Sequence, residues 1–249
     1  MKLLIDIGNT NSSMSLWDNS KLSMVNNSSN KKLFVALRKY SKKNLEKIIF
    51  ISVVSIKENK VIKNQLKKIF KCNVEQIKSS PKLFGVINGY ERPKKLGDDR
   101  WSAIVGSYIF YQEPLIIVDC GTAISIDIIN SEGVHQGGYI LGGFNGYTES
   151  FQKAYNLKNI RLKESTVLQK KSFPRKTETG ITEGYLLMVL STVENIYYQF
   201  RKNQKISPKL LISGGYGKII SKKLSVKNLY EPDLVLKSIG LIEDHSNLV

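Results

Sequence analysis

The chain has 249 residues, of which 41% are hydrophobic, so it has apolar side chains for one large domain or two of ordinary size, and no stretch approaches the roughly 20 apolar residues of a membrane span. The net charge of +17 would suit a nucleic-acid-binding protein, but the lysines are scattered and the sequence has no arginine-rich tract, no aromatic RNA-binding motif and no zinc-finger spacing. The charge is therefore interpreted as a lysine-rich solvated surface, and neither a membrane nor a nucleic acid is expected as a partner.

The cysteines and the N-terminal residues indicate a compartment. Cys72 and Cys120 are the only cysteines, and Cys120 adjoins a candidate ligand-binding acid, so a disulfide between them has no support. The first residues enter a strand directly, without the basic and apolar regions or the cleavage site of an export signal. We therefore expect a reduced, cytoplasmic protein.

The first half of the chain predicts an α/β half-domain. Its hydrophobic alternation and apolar runs indicate the order β-β-β-α-β-α, which is typical of a ribonuclease-H-like fold. Strands are predicted over 2–7, 13–17 and 21–25, a helix within 31–47, an inner parallel strand over 48–54, an amphipathic helix over 57–70, and short edge strands over 74–77 and 85–87.

A polar loop follows Asp6, between the first two predicted strands. Its side chains pack poorly in a core, but their hydroxyl and amide groups suit the oxygens of a phosphate. The loop residues are Gly8, Asn9, Thr10, Asn11, Ser12 and Ser13. The alternative is an ordinary polar hairpin, because hairpin loops of this kind are common.

A second candidate site precedes the helix predicted over 102–111. Gly97 is followed by Asp98, Asp99 and Arg100, with Tyr90 upstream. In the functional interpretation one of the two acids is a general base, and the guanidinium of Arg100 binds a carboxylate through its fork of donors. The alternative is an aspartate N-cap with an incidental arginine.

The second half repeats the strand-to-acid pattern of the first. A buried strand over 115–118 runs into Asp119, Gly121 and Thr122, so a carboxylate ends the strand and the glycine lets the backbone approach a ligand closely. The remaining predictions are strands over 124–129 and 134–141, a helix over 148–155, an irregular, basic and mobile segment over 156–176, a helical apolar stripe over 181–200, a strand over 210–213 with a glycine turn over 214–217, a short strand over 233–236 and a helix over 239–248.

The duplicated acidic turns predict two related half-domains, residues 1–113 and 114–249. We expect α/β domains with mixed sheets that face each other across a central cleft, where a phosphate group binds. The glycine turn at Gly214 and Gly215 suits close approach to a nucleotide. The broad stripe over 181–200 predicts core, dimer interface or both, and His135 is interpreted as structural or exposed.

Several short motifs, taken together and in order, resemble those of type III pantothenate kinase, a family of the actin/sugar-kinase/Hsp70-like superfamily. They span nearly the whole chain, and the chain length also matches. The motifs are Asp6-x-Gly-Asn-Thr, Gly97-x-Asp99-Arg100, Asp119-x-Gly-Thr-Ala, Gly137-Gly-x-Ile and Ser213-Gly-Gly.

The resemblance implies ATP-dependent phosphorylation of pantothenate to 4′-phosphopantothenate, the first step towards coenzyme A, by a homodimer. It implies that Asp99 accepts the hydroxyl proton, that Asp119 holds a monovalent cation (K⁺ or NH₄⁺), and that Asp6 holds Mg²⁺ directly or through water. The implied ATP-binding residues are Asp6, Gly8, Asn9, Thr10, Asn11, Ser12, Ser13, Thr122, Gly214 and Gly215. The implied pantothenate-binding residues are Tyr90, Gly97, Asp98, Asp99, Arg100 and Thr177.

The chain departs from the family pattern at three places. Gly142 replaces the usual proline after Gly-Gly-x-Ile, which loosens that loop because φ is no longer fixed, and Lys176 and Glu183 replace an asparagine and a serine.

The alternative functions are another small-alcohol kinase or a polyphosphate phosphatase of the same superfamily, and a non-catalytic regulator. The joint presence of Asp6, Asp99 and Asp119 argues against the regulator.

Overall fold

The structure, a computed structural model, describes residues 1–155, 160–166, 168 and 173–248, with only the backbone of residues 152–155. The chain divides into two compact units. Unit 1 consists of Met1–Gln112, Gly133–His135 and Asp233–Val249, and unit 2 consists of Glu113–Glu132 and Gln136–Pro232.

The helices and strands follow the predicted order closely. Up to Gln112 they are β1 (Lys2–Ile7), β2 (Asn11–Asp18), β3 (Lys21–Ser29), α1 (Leu33–Leu37), β4 (Lys47–Ser52), α2 (Ile56–Phe70), β5 (Asn73–Gln76), β6 (Lys82–Leu83), β7 (Val86–Ile87) and α3 (Asp98–Tyr111). From Glu113 on they are β8 (Leu115–Cys120), β9 (Ala123–Ile129), β10 (His135–Gly142), α4 (Phe144–Tyr155), α5 (Thr177–Gln204), β11 (Lys209–Ser213), α6 (Gly217–Ser221), β12 (Leu229–Tyr230) and α7 (Leu234–Ser246).

Each unit contains a five-stranded mixed sheet, and the two sheets share one strand order. The order is β3-β2-β1-β4-β5 in unit 1 and β10-β9-β8-β11-β12 in unit 2. In unit 1, β1 pairs antiparallel with β2 and parallel with β4, which pairs parallel with β5. In unit 2, β8 pairs in the same way with β9 and β11, and β11 pairs parallel with β12. The predicted fold class, two ribonuclease-H-like α/β halves with mixed sheets, is confirmed.

The sheet of unit 1 buries both of its faces, because successive side chains of a strand point to opposite faces. Leu3, Ile5 and Ile7 of β1 belong to a cluster that includes residues of α1 and α2. Leu4, on the opposite face, belongs to a second cluster with residues of β4 and α7. The period of two places Asp6 on the same face as Leu4.

Polar contacts also attach α7 to the sheet of unit 1. The carboxylate of Glu243, which is 5% exposed, pairs with Lys2 Nζ at 3.1 Å and with Lys47 Nζ at 2.8 Å. The indole N–H of Trp17 donates to Asp244 Oδ1 at 3.0 Å. Helix α3 packs directly on α7, so closely that a Cβ on Gly106 would overlap the backbone of Ser238.

The core of unit 2 is built on α5. One face of this helix is buried against β8, β9 and β11, so the core interpretation of the predicted stripe holds for that face. Its buried apolar residues are Ile181, Tyr185, Leu186, Val189, Leu190, Val193, Ile196, Tyr197 and Phe200.

Two predicted elements differ from the structure. The strand predicted over 233–236 is wrong, because α7 begins at Leu234 and these residues form its first turn. The helix predicted within 31–47 shortens to α1 with single 3₁₀ turns at Asn30–Lys32 and Arg38–Tyr40. The predicted boundary between the two half-domains, at residues 113 and 114, stays a prediction. Helix α7 packs with unit 1, although it lies in the predicted second half-domain.

Part of the predicted irregular segment, residues 156–159, 167 and 169–172, lies outside the described residues. Its described parts, 160–166, 168 and 173–176, contain neither helix nor strand. In the portion of the chain that the structure describes, no helix combines the length and hydropathy that crossing a bilayer requires.

Candidate active site

The predicted phosphate loop lies where β1 ends in unit 1. The N–H of Gly8 donates to the carbonyl of Asn11 at 3.0 Å, which closes a tight turn. Asn9, Thr10 and Asn11 are exposed, Ser13 is half-buried, and Ser12 is buried. Asp6 is half-buried two residues before Gly8. The exposed turn therefore presents backbone and polar side-chain groups to solvent beside a carboxylate.

Asn30, which the sequence interpretation missed, makes the contacts that hold this turn. Its side-chain amide donates to the carbonyl of Gly8 at 2.8 Å, and its backbone N–H donates to that of Thr10 at 3.0 Å. The hydroxyl of buried Ser12 donates to Asn30 Oδ1 at 2.6 Å. The meander carries the signal, because it returns the end of the third strand to the start of the second, but the strand predicted over 21–25 stops short of β3, which continues to Ser29.

The start of α3 lies at the same edge of the sheet of unit 1. Val53, directly after β4, donates its N–H to the carbonyl of Ile7 at 3.1 Å. A Cβ built on Gly97, the residue before α3, would lie 3.7 Å from Val53 Cγ1. Because β1 and β4 are parallel, their carboxyl ends meet here, and this edge is where open α/β sheets bind ligands.

Gly97 is the N-cap of α3, and no side chain caps the helix. Asp98 and Asp99 therefore lie inside the first turn, so neither is the N-cap aspartate of the alternative interpretation. Asp98 Oδ1 accepts the N–H of Ser79 at 2.8 Å. Burial raises the pKa of the Asp98 carboxyl above its usual range, although the Ser79 hydrogen bond and Lys78 act in the opposite direction.

We expect Asp98→Asn to raise the free energy of unfolding at neutral pH, because the amide oxygen still accepts from Ser79 and the unfavourable buried charge is gone. An acid whose pKa is raised by folding contributes stability that is complete below its unfolded pKa, about 4, and is lost as the pH rises through the folded pKa. Urea unfolding at pH 3.5 to 7 should show the two proteins converging below about pH 4. A difference that does not change with pH would contradict this.

Asp99, the predicted proton acceptor, depends on the absence of a side chain at Gly97. Asp99 Oδ1 accepts the N–H of Arg100 at 2.7 Å. A Cβ on Gly97 would overlap this same Oδ1 atom. The backbone of Gly97, at φ −57° and ψ 141°, is open to any residue, so the constraint is the carboxylate and not the chain conformation.

Gly97→Ala is accordingly expected to displace the Asp99 carboxylate while α3 stays folded. We expect kcat to fall about 10- to 100-fold, as for a misplaced catalytic group, and the free energy of unfolding to fall by less than about 1 kcal/mol. Steady-state kinetics and urea unfolding of the same preparation measure both. Unchanged kcat would show that the position of this carboxylate is not critical.

Tyr90 and Arg100, predicted as substrate contacts, are brought together in unit 1. Arg100 Nη1 donates to the Tyr90 hydroxyl at 2.7 Å, and the guanidinium carbon lies 5.4 Å from the ring centroid. His135, which is buried, stacks on the same ring at a centroid distance of 5.8 Å with an interplanar angle of 20°. The structural interpretation of His135 therefore holds, but its contact with Tyr90 was not foreseen.

In unit 2, the predicted residues collect where β8 and β11 end. Asp119 of β8 pairs with Ser213 of β11 in the register of these two parallel strands. The next residue, Gly214, has φ +85°, and a Cβ there would lie 2.6 Å from both Asp119 Oδ1 and the Cys120 carbonyl oxygen. Both the left-handed conformation and the close approach therefore require glycine at position 214.

Thr122 and Gly215 are exposed beside this pair of strand ends. The Thr122 carbonyl accepts the N–H of Gly143 at 3.2 Å, which ties the predicted glycine loop to the turn after β8.

Cys120 is buried, and burial, with the Asp119 charge adding to it, raises the pKa of its thiol far above the usual range. Thr177 is exposed in the first turn of α5, and in the described part of the chain no hydrogen bond or ion pair joins it to the other predicted residues.

Comparison with known sequences finds one matching family model, described as type III pantothenate kinase, over residues 2–199. The protein of that name from Sulfurihydrogenibium sp. (strain YO3AOP1) is 30% identical over 203 residues, which are 81% of this chain and 78% of the relative. The one from Pseudoalteromonas translucida is 28% identical over 253 residues, which are 99% of each chain.

Solved structures support the fold. A Baf family protein from Campylobacter jejuni, described as a transcriptional activator, superposes with a TM-score of 0.66 at 23% identity, covering 99% of this chain and 100% of the other. The ethanolamine utilization protein EutJ from Carboxydothermus hydrogenoformans superposes with a TM-score of 0.57 at 12% identity, covering 97% and 89%. These likenesses place the chain in the actin-like ATPase fold. Since the family model matches most of its length, the chain belongs to the type III pantothenate kinase family.

Proposed function

We propose that this chain transfers the γ-phosphoryl group of ATP to the hydroxyl of pantothenate, giving 4′-phosphopantothenate for coenzyme A synthesis. The observation that carries the proposal is the start of α3, where Asp99, Arg100 and Tyr90 lie at the carboxyl edge of the sheet in unit 1. Family membership favours this reaction over the other superfamily kinases, the phosphatase and the regulator.

Asp99 accepts the proton of the pantothenate hydroxyl as that oxygen attacks the γ-phosphorus in line. Phosphoryl transfer requires little covalent chemistry from the protein, so catalysis depends mainly on positioning the reactants and neutralising the phosphate charge. Gly97 supports this role because its missing side chain leaves room for the Asp99 carboxylate.

Arg100 binds the pantothenate carboxylate with help from the helix N-terminus, and Tyr90, Gly97 and Asp98 contact other parts of the pantothenate. The Tyr90 hydroxyl, in contact with Nη1 of Arg100, restricts the rotamers of the guanidinium before substrate arrives. The stack on His135 supports the orientation of Tyr90 in turn. A planar guanidinium held in this way suits a planar carboxylate better than a flexible lysine would.

The turn after β1 binds the phosphate chain of ATP, through Gly8, Asn9, Thr10, Asn11 and Ser13. Ser12 contributes indirectly, because its buried hydroxyl is already given to Asn30. Thr122, Gly214 and Gly215 of unit 2 contact ATP through a hydroxyl or backbone groups, and of these three residues Thr122 and Gly215 are exposed and Gly214 is half-buried.

Two cations accompany the reaction. Among the described residues no three His, Cys, Asp or Glu side chains gather into a metal cluster, which fits ions held by a single carboxylate together with substrate oxygens. Asp6 would hold Mg²⁺, directly or through water, and Asp119 with nearby carbonyl oxygens would hold K⁺ or NH₄⁺. These ions offset the charge of the phosphates.

We also propose a cytoplasmic homodimer. Both cysteines are free thiols, which suits a reduced compartment. Leu187, Met188 and Tyr198 of α5 are 56%, 37% and 51% exposed on a helix whose other face forms the core, so an apolar surface is available for a second copy. Thr177, at the start of the same helix, is assigned to pantothenate.

A coupled ATP assay tests the function. Pantothenate is compared with a panel of sugars and short alcohols, with Mg²⁺ and with K⁺, NH₄⁺ or neither. We expect ADP release only with pantothenate, activation by K⁺ or NH₄⁺, and a product that carries one phosphate. Turnover of another alcohol in preference to pantothenate, or none with any acceptor, would refute the proposal.

A further inference from the structure

Asn30 occupies a position from which it contacts the whole turn after β1. It directly follows β3, twenty residues or so along the chain from the turn, and is half-buried. Its Nδ2 atom donates to the carbonyls of Gly8 at 2.8 Å and Asn9 at 3.2 Å, and its backbone N–H donates to the carbonyl of Thr10 at 3.0 Å. One residue therefore holds three consecutive carbonyl groups of the turn.

The carbonyls of Gly8 and Asn9 settle the orientation of the Asn30 amide, because a carbonyl oxygen only accepts. A flipped amide would set its oxygen against both carbonyls, so Nδ2 must face the turn. The Ser12 hydroxyl, which can donate or accept, adapts to this orientation and donates to Asn30 Oδ1 at 2.6 Å.

The peptide geometry then determines where the N–H groups of the turn point. The chain has no cis peptide bonds, and in a planar trans peptide the C=O and the following N–H point in opposite directions. Because the carbonyls of residues 8, 9 and 10 point towards Asn30, the N–H groups of Asn9, Thr10 and Asn11 point away from it. These three residues are exposed, so their N–H groups face solvent.

We propose that Asn30 is a positioning residue for the phosphate chain of ATP. It draws three carbonyl oxygens to one side of the turn and so aims the N–H groups of Asn9, Thr10 and Asn11 at the phosphate oxygens, an arrangement of backbone donors that suits anions. This inference rests on the proposed function of the turn. Asn30 itself contacts no substrate.

Two substitutions test the proposal, with Asn73→Ala as the matched control, because among the described residues the Asn73 amide bonds only to the exposed Glu75 side chain. Asn30→Ala removes all the side-chain bonds. Asn30→Asp keeps the volume and the acceptor for Ser12 but turns a carboxylate oxygen towards two carbonyls. We expect both to raise the KM for ATP about tenfold or more, with the KM for pantothenate and the far-ultraviolet spectrum nearly unchanged.

Two measurements without turnover accompany the kinetics. Calorimetric titration with ATP should show a Kd that rises by the same factor. Amide hydrogen exchange of the two hydrogen-bonded N–H groups of the turn, those of Gly8 and residue 30, should become faster in the free protein in both Asn30 variants but not in Asn73→Ala. If Asn30→Ala fails to fold, Asn30→Asp gives the result, because it is isosteric.

The outcomes are distinct. ATP binding equal to that of the wild type in a folded Asn30→Asp protein would overturn the inference, as would equal increases of both KM values. A wild-type protein that binds ATP but does not phosphorylate pantothenate would refute the proposed function, while the ATP titrations would still test Asn30. A wild-type protein that binds no ATP would refute both.

Discussion

Replacing Asp99 by asparagine is expected to lower kcat about 100- to 10,000-fold, the usual contribution of a general base. Asparagine keeps an Oδ1 atom that accepts the N–H of Arg100, so the start of α3 should remain intact. It does not accept the proton of the attacking hydroxyl. The variant should therefore bind ATP and pantothenate with Kd values close to those of the wild type.

Asp18→Asn is the control for Asp99→Asn, because Asp18 is half-exposed and lies at the opposite end of β2 from the turn of residues 8–11. Initial rates, calorimetric ATP titration and thermal unfolding of both variants separate chemistry from binding and folding. Turnover of Asp99→Asn within a few-fold of the wild type would refute the assignment of the base, and Asp98 would then be examined next.

Replacing Glu243 by alanine is expected to give the largest loss of stability. The Glu243 carboxylate is nearly buried and bonds to the ammonium groups of Lys2 and Lys47. Burial by itself lowers the pKa of Lys47, but the hydrogen bonds to Glu243 and Glu75 outweigh it and raise the pKa above its usual value. Removing Glu243 leaves two poorly solvated positive charges, so we expect a loss of about 2 to 4 kcal/mol.

Glu75→Ala provides a matched comparison, because Glu75 pairs with the same Lys47 at 2.8 Å but is 52% exposed. Its removal should cost less than about 1 kcal/mol. The chain's two tryptophans, Trp17 and Trp101, both lie in unit 1, so urea unfolding followed by their fluorescence reports on the affected unit. Equal losses for the two variants would show that burial does not decide the strength of this ion pair.

The repeated sheet could be predicted because its strands carry strong local patterns. An apolar run that ends in an aspartate marks β1, and an apolar run without an acid marks the inner parallel strand β4. The same two signals recur at β8 and β11. A duplicated order of strands follows from a duplicated pattern, without any long-range information.

The errors occurred where a short apolar run has two interpretations. Leu234, Val235 and Leu236 look like a strand, yet Leu236 and Ile239 lie on one helical face that packs against the sheet of unit 1. Three apolar residues in a row do not separate a strand from the first turn of a buried helix. Tertiary packing decides, and the partner residues Leu4, Trp17, Ile49 and Ile51 all lie in the first 51 residues of the chain.

In the candidate site, too, local sequence patterns indicate some residues, and only the folded structure reveals others. Asp6, Asp99 and Asp119 stay predictions, and they were recognisable as candidates because each lies in a short motif of acid and glycine at the end or start of an element. Asn30 and His135 could not, because their roles come from contacts with the distant residues Gly8 and Tyr90. Residues that orient a site, unlike those that form its motifs, are recognisable only once strands pair and helices pack.

The position of α7 has a consequence for synthesis in the cell. A ribosome completes unit 2 before it makes the helix that covers Leu4, Ile49 and Ile51, so the nascent first sheet keeps one apolar face uncovered until α7 has been made. During that interval this face is open to chaperones and to aggregation. Ending translation shortly before residue 234 should therefore lower the solubility of the product, because the first sheet then never receives its covering helix.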